Sequence, residues 1–220
     1  MQALDHNAYL ALRDGAQVLE ADRFGDKVLH LRNGNFLKLF RRKRLLTSAA
    51  LFPYAQRFAD NASALQQRGV PCPQVLAVYR IKSIQRDAVY YAPLPGLTLR
   101  QLFEKPELTA TLHAQLGEFV AQLHASGVYF RSLHLGNIVL TPDNQLGLID
   151  IADLKCQTRA LSTPKRLRNF QHMLRCEPDQ QWLLADNPAE FLQSYLSSSH
   201  LNMDASALQQ KLTRTGSATR

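Results

Sequence analysis

The sequence is short of cysteine, of long apolar runs and of acidic side chains, and each shortage closes off a class of protein. Its three cysteines, Cys72, Cys156 and Cys176, are odd in number and show no C-x-x-C spacing. That excludes a disulfide framework or a structural zinc site and points to a reducing compartment. Apolar stretches such as Leu45 to Ala55 are broken by Thr, Ser and Pro well before membrane-spanning length. Met1 to Asp14 carries Asp5, His6, Arg13 and Asp14 and has no apolar core segment, so no signal peptide is expected. A soluble, cytoplasmic protein is the expectation. No internal repeat or low-complexity tract is visible beyond a polar tail from Thr213 to Arg220.

What is present is ordinary globular composition: 220 residues, 45% hydrophobic and 20% charged, enough for one large domain or two small lobes. Lys plus Arg is 26 against 18 for Asp plus Glu, giving a formal charge of +8 and a pI of about 9.6. Such a surplus favours anionic partners: nucleic acid, phosphorylated metabolites or an acidic membrane surface. The bases cluster at Arg41, Arg42, Lys43 and Arg44, and again at Lys165, Arg166, Arg168 and Arg175. Either cluster alone reads as a solvated face. No nucleic-acid-binding module or aromatic interleaving accompanies them, so nucleic acid is not an expected partner.

Residues 16–42 read as three strands. Gln17 to Ala21 is the first, Asp22 to Asp26 a turn, and Lys27 to Leu31 the second. Arg32-Asn33-Gly34-Asn35 is a hairpin signal, and Phe36 to Phe40 is a third strand with Lys38 at its middle. Pro53 to Arg68 reads as a helix stopped by Gly69, followed by strands at Val75 to Ile81 and Ala88 to Tyr91. Ala92-Pro93-Leu94-Pro95-Gly96 is a stiff connector, after which helical spacing dominates. A helix starting near Pro106 runs to Gly127, two short strands fall at Ile138 to Leu140 and Leu146 to Ile149, and the remainder is helical. The expectation is a β-rich N-terminal lobe at 1–91, a hinge at 92–97 and a helical C-terminal lobe at 98–220.

The densest chemistry lies between Val128 and Leu154, V-Y-F-R-S-L-H-L-G-N-I-V-L-T-P-D-N-Q-L-G-L-I-D-I-A-D-L. Asn137 precedes one short strand and Asp150 follows the next, which brings an amide oxygen and a carboxylate to one end of a hairpin. Converging hard oxygen donors suit Mg²⁺ held against phosphates. Taken singly, the pair reads as an Asn at a turn and an Asp capping a downstream element.

In combination the segment resembles the catalytic and metal-binding loops of the protein-kinase-like fold, whose bacterial branch has H-G-D-L-H-x-G-N-I-L, a hairpin and L-I-D. Here L-H-L-G-N-I-V-L spans Leu133 to Leu140 and L-I-D is Leu148 to Asp150. The resemblance implies an α+β, bilobal protein-kinase-like fold with an antiparallel sheet in the first lobe. It makes Asn137 and Asp150 the two magnesium ligands and matches Arg131 to the arginine of H-R-D. N-F-L-K at Asn35 to Lys38 resembles the strand whose lysine contacts the α- and β-phosphates of ATP. ATP and Mg²⁺ are the implied cofactors, with the nucleotide between Lys38 on one side and Asn137 and Asp150 on the other. Three further stretches, F-L-K-L-F-R-R-K-R-L-L, R-G-V-P-C-P and L-I-D-I-A-D-L, resemble the bacterial lipopolysaccharide core kinases and the related toluene-tolerance proteins. That group phosphorylates sugars, typically heptose, on the cytoplasmic side of the inner membrane. A small-molecule or glycolipid acceptor and peripheral contact with an anionic membrane are thereby implied.

The sequence also departs from the template. Ser132 stands five residues before Asn137, where the template has its catalytic Asp, and Phe130 replaces the histidine of H-R-D. A serine hydroxyl is not a resting anionic acceptor and is far too weak a base alone. His134 could accept a proton near neutral pH or could simply bond the loop backbone. The other histidines show no ligand spacing. The glutamate that should pair with Lys38 falls near Phe58, with Asp60 the nearest acid and on another helical face. The turn from Asp22 to Asp26 has one glycine instead of G-x-G-x-x-G. An active but atypical kinase and a pseudokinase both remain open. An aminoglycoside-type kinase is disfavoured by the basic charge balance.

Overall fold

Period-two alternation along Phe36, Leu37, Lys38, Leu39 and Phe40 builds both faces of the N-terminal sheet. Leu37 and Leu39 are buried on one face with Leu29, Leu31, Ile81, Ala88 and Tyr9. Phe36, Lys38 and Phe40 therefore stand on the other. The structure, a computed structural model, describes residues 1–42, 53–102, 109–184 and 188–216. Lys43, Arg44 and the expected helix start at Pro106 lie outside the described residues.

The chain divides into two compact units, Met1–Leu94 with Asp150–Asp153, and Pro95–Ile149 with Leu154–Arg220. The division is not a single cut, because four residues that follow the last strand of a C-terminal hairpin belong with the first unit. In that unit β1 (Gln2–Ala3), β2 (Gln17–Asp22), β3 (Gly25–His30), β4 (Phe36–Arg41), β5 (Gln74–Ile81) and β6 (Arg86–Ala92) form a six-stranded sheet. Its order is β1-β5-β6-β4-β3-β2, with β1 parallel to β5 and the other pairs antiparallel. Helix α1 (His6–Arg13) is capped by the Asp5 carboxylate, which accepts the Ala8 N–H at 2.8 Å, and it buries Tyr9 on the leucine face. β1 and α1 add to the expected order of three strands, a helix and two strands. Helix α2 (Tyr54–Gln66) supplies the opposite face with Phe58, whose ring lies 5.1 Å from that of Tyr91. It ends as the sequence indicates, where Gly69 takes φ of +68° and the Val70 N–H returns to the Leu65 carbonyl at 3.0 Å.

The second unit contains β7 (Leu97–Thr98), α3 (Leu99–Leu102), α4 (Thr109–Ala125), β8 (Val128–Phe130), β9 (Ile138–Leu140), β10 (Leu146–Leu148) and β11 (Leu154–Cys156). Helices α5 (Thr163–Met173), α6 (Glu177–Leu184), α7 (Pro188–Ser199) and α8 (Ala205–Gly216) follow. The small sheets are β10-β9-β7 and β11-β8. β8 and β11 were not among the expected strands; they pair with each other across the loop and hairpin that lie between them in sequence. Gly96, at φ +132°, allows close approach to this sheet: a Cβ there would stand 2.1 Å from the Leu140 carbonyl oxygen. The core gathers Phe170, Phe191 and Tyr195, with Phe170 set edge-on to both rings. Among the described residues no helix is long and apolar enough to cross a membrane.

Candidate active site

Lys38 is held at the middle of β4 by register with Val28 on β3 and Val89 on β6. Its ammonium donates to Asp150 Oδ1 at 2.6 Å; the Lys38 side chain is 17% exposed and that of Asp150 49% exposed. A cation placed in the sheet by strand pairing therefore meets a carboxylate that keeps access to solvent. Asp150 has φ of +54°, a left-handed conformation that Asp tolerates better than most residues. The next peptide is fixed by Asn61 of α2, whose Nδ2 donates to the Ile151 carbonyl at 2.7 Å. Tyr91, half-buried nearby, has its phenol pushed above the usual range, first by loss of solvent around the hydroxyl and then by the charge of Asp150.

Helix α2 brings no acid to Lys38. Phe58, at the position where the template has glutamate, is buried against Tyr91, and the exposed Asp60 accepts from Gln56 Nε2 at 2.9 Å. A neutral amide, that of Asn61, links α2 to the Asp150 segment. Sequence reading searched this helix for an acid to pair with Lys38 and made no reading of Asn61.

In the second unit, residues 131–137 form a tight loop. The Ser132 carbonyl accepts both the His134 N–H at 2.9 Å and Asn137 Nδ2 at 3.0 Å. The Asn137 N–H bonds the His134 carbonyl at 2.8 Å, and the Asn137 carbonyl accepts the Ile149 N–H at 3.0 Å. Asn137 is buried, and commitment of its Nδ2 leaves Oδ1 as the amide atom available to a cation. Ser132 and His134 are half-buried and Arg131 is exposed. Gly136 is closely packed: a Cβ there would stand 3.1 Å from Arg100 Nη1 and 3.2 Å from His134 Nδ1, tight contacts that those side chains would have to relieve.

Two buried side chains that sequence reading missed pin this loop. Asp179 on α6 is fully buried and accepts Arg100 Nε at 3.0 Å, Arg100 Nη2 at 2.8 Å and the Leu135 N–H at 3.0 Å. Asn169 on α5 donates Nδ2 to the Phe130 carbonyl at 2.6 Å and accepts the Phe130 N–H on Oδ1 at 3.5 Å. Behind it, His124 Nε2 lies 3.3 Å from Asn169 Oδ1 and His124 Nδ1 lies 2.9 Å from the Tyr195 hydroxyl. Arg166 Nη1 donates to that hydroxyl at 3.4 Å. The roles are self-consistent with a neutral ring that donates from Nε2 and accepts at Nδ1. Burial, then the charge of Arg166, lowers the His124 pKa to about 3.

The structure thus brings Lys38 together with Asp150 in the first unit, and Ser132, His134 and Asn137 together in one loop of the second. A sequence model of the phosphotransferase enzyme family, APH, matches residues 36–132. The match takes in Lys38 and stops before Asn137 and Asp150. No curated protein sequence matches the chain. Among solved structures the chain is similar to WaaP in complex with acyl carrier protein, with a TM-score of 0.60 and 17% identity over 96% of this chain and 90% of that one. It is also matched to WbdD in complex with the kinase inhibitor LY294002, with a TM-score of 0.46 and 14% identity over 88% of this chain and 42% of that one. The chain has the α+β, protein-kinase-like fold of WaaP.

Proposed function

We propose that the chain is an atypical small kinase that binds ATP with magnesium and transfers phosphate to a hydroxyl of a lipopolysaccharide core sugar or similar small acceptor. The observation that carries this reading is the 2.6 Å contact between Lys38 and Asp150. A cation and a partly exposed carboxylate offered together match the two sides of a metal-bound polyphosphate: ammonium to phosphate oxygens, carboxylate to metal. The fixed amide of Asn137 supplies a second hard donor, Oδ1. Among the described residues no group of three or more His, Cys, Asp and Glu could hold a metal unaided. Such a donor set fits Mg²⁺ delivered with its nucleotide, where it would neutralise phosphate charge. In this reading residues 1–91 hold the nucleotide, 92–97 act as hinge and 98–220 present the acceptor. Arg131 and His134 flank Ser132 as candidate acceptor-side groups.

Ser132 favours a second reading, a pseudokinase that regulates a partner in envelope metabolism. Magnesium-dependent ATP binding and hydrolysis by the purified chain separate the two. A kinase binds and turns over ATP and loses both in Asp150→Ala. Binding without turnover supports the pseudokinase, and equal ATP·Mg affinity in wild type and Asp150→Ala removes Asp150 from the site. Acyl carrier protein, the partner in the WaaP complex, is the first protein partner to test by pull-down. Contact with an anionic membrane through the cluster beginning at Arg41 and Arg42 should appear as liposome binding that rises with anionic lipid and falls with salt.

A further inference from the structure

Lys27 is the extra residue of a β-bulge. The β2–β3 register pairs Val18 with Leu29, Glu20 with Val28 and Ala21 with Asp26, so it passes over Lys27 on β3 as it does Leu19 on β2. Bulges kink a strand and re-aim the side chain they carry. Here the Lys27 ammonium is turned onto the Glu20 carboxylate. Glu20, Val28 and Lys38 are successive register partners across β2, β3 and β4. Glu20 and Lys38 thus share a face of the sheet two strand spacings apart, about 10 Å. The Lys27 pKa is raised, chiefly by its hydrogen bond to Glu20, with smaller upward pulls from the charges of Asp22 and Asp150. Through Glu20 the Lys27 ammonium is held at the face of the sheet that carries Lys38.

The Lys27–Glu20 pair is 40% and 49% exposed, and an ion pair so exposed is weak and readily exchanged. The adjoining turn has one glycine, Gly25, and so lacks the glycine run that lets several backbone N–H groups approach a phosphate. Cationic charge on this ribbon has to come from a side chain.

We propose that Lys27 is a second phosphate-contacting cation of the nucleotide site and that Glu20 is its displaceable counter-ion. The ligand class is a nucleoside di- or triphosphate, and the inference rests on the nucleotide reading of Lys38 and Asp150. When phosphates bind beside Lys38, Lys27 leaves Glu20 for them.

Calorimetry with ATP·Mg, ADP·Mg and adenosine on the full chain tests this, using wild type, Lys27→Ala, Glu20→Gln, the double variant and Lys38→Ala. Lys27→Ala should weaken ATP·Mg about tenfold, the scale of one charge-assisted phosphate contact, and leave adenosine unchanged. Glu20→Gln should tighten ATP·Mg, and the gain should vanish in the double variant. Lys27→Gln, which keeps the stem, replaces Lys27→Ala if the latter misfolds. Wild-type ATP·Mg affinity in the Lys27 variants alongside loss in Lys38→Ala overturns the role of Lys27 and leaves the nucleotide reading standing. Weaker ATP·Mg binding by Glu20→Gln overturns the counter-ion role. Absence of nucleotide binding by wild type overturns both readings.

Discussion

The Asp179 carboxylate accepts the backbone N–H of Leu135 at 3.0 Å across 44 residues of sequence, and so ties helix α6 to the loop that carries Asn137. Arg100 completes the arrangement with two hydrogen bonds to the same carboxylate. Asp179 has no exposure, whereas the Arg100 side chain is 42% exposed. Removing the carboxylate leaves a buried N–H without its acceptor and frees a cation that water can still reach. Asp179→Ala should therefore destabilise the chain by about 2–4 kcal/mol. Asp179→Asn, which keeps an acceptor oxygen, should cost less. Denaturant unfolding of the three proteins checks the order, and equal midpoints for wild type and Asp179→Ala would show that the tie carries no stability.

His124 gives the chain a pH dependence of predictable sign. Its folded pKa of about 3 lies below the ordinary histidine value of 6.5. Between these values the unfolded chain binds a proton that the folded chain refuses, so stability rises with pH across that window. The contribution is complete above about pH 6.5 and is lost progressively as pH falls towards 3. Its slope approaches about 1.4 kcal/mol per pH unit, the value for one proton. Urea unfolding from pH 7 to 4.5 should show wild type losing stability more steeply than His124→Gln. Parallel pH profiles would place the acid sensitivity elsewhere.

Asp150 combines a charge with an unusual backbone, and two substitutions separate them. Asp150→Asn keeps a residue suited to positive φ and removes the charge that Lys38 meets. Asp150→Ala removes the charge and also places alanine at φ +54°. The exposed carboxylate makes the ion pair itself worth about 1 kcal/mol or less, and the alanine backbone should add about 1 kcal/mol of strain. Thermal unfolding should therefore rank wild type above Asp150→Asn and Asp150→Asn above Asp150→Ala. If alanine proves as stable as asparagine, the left-handed conformation is not a constraint on this position.

These contrasts explain what could be read from the sequence. The strand F-L-K-L-F was legible because alternation fixes which side chains share a face, and that places Lys38 opposite the buried Leu37 and Leu39. The loop around Asn137 was legible because its residue types and spacing are local. Asp179 and Asn169 were not, since each acts on backbone atoms 39 or 44 residues away from within an ordinary helix. Neither lies in a motif, and a buried polar residue declares itself only once its partners are known. Asn61 was obscured for another reason: the helix was searched for an acid facing Lys38, whereas Asn61 is neutral and bonds a different partner, the Ile151 carbonyl. Lys27 was hidden because periodicity assigns it a face that the bulge then changes.

Ser132 separates the two functional readings, and the loop geometry sharpens the test. The Ser132 carbonyl is held by the His134 N–H and by Asn137 Nδ2. Both bonds use the backbone of residue 132, so replacing its side chain leaves them intact. A carboxylate introduced by Ser132→Asp will therefore project from a backbone that is already fixed. Should the loop retain kinase geometry, general-base assistance of roughly 10²- to 10⁴-fold is within reach, and even a poorly aligned carboxylate should give a measurable part of it. The expected outcome is faster ATP hydrolysis or phosphoryl transfer by Ser132→Asp, with Ser132→Ala close to wild type. Loss of a robust wild-type activity in Ser132→Ala would make the hydroxyl a direct participant and overturn this account of the loop. No turnover by wild type or by Ser132→Asp, with nucleotide binding retained, would leave the pseudokinase as the better reading.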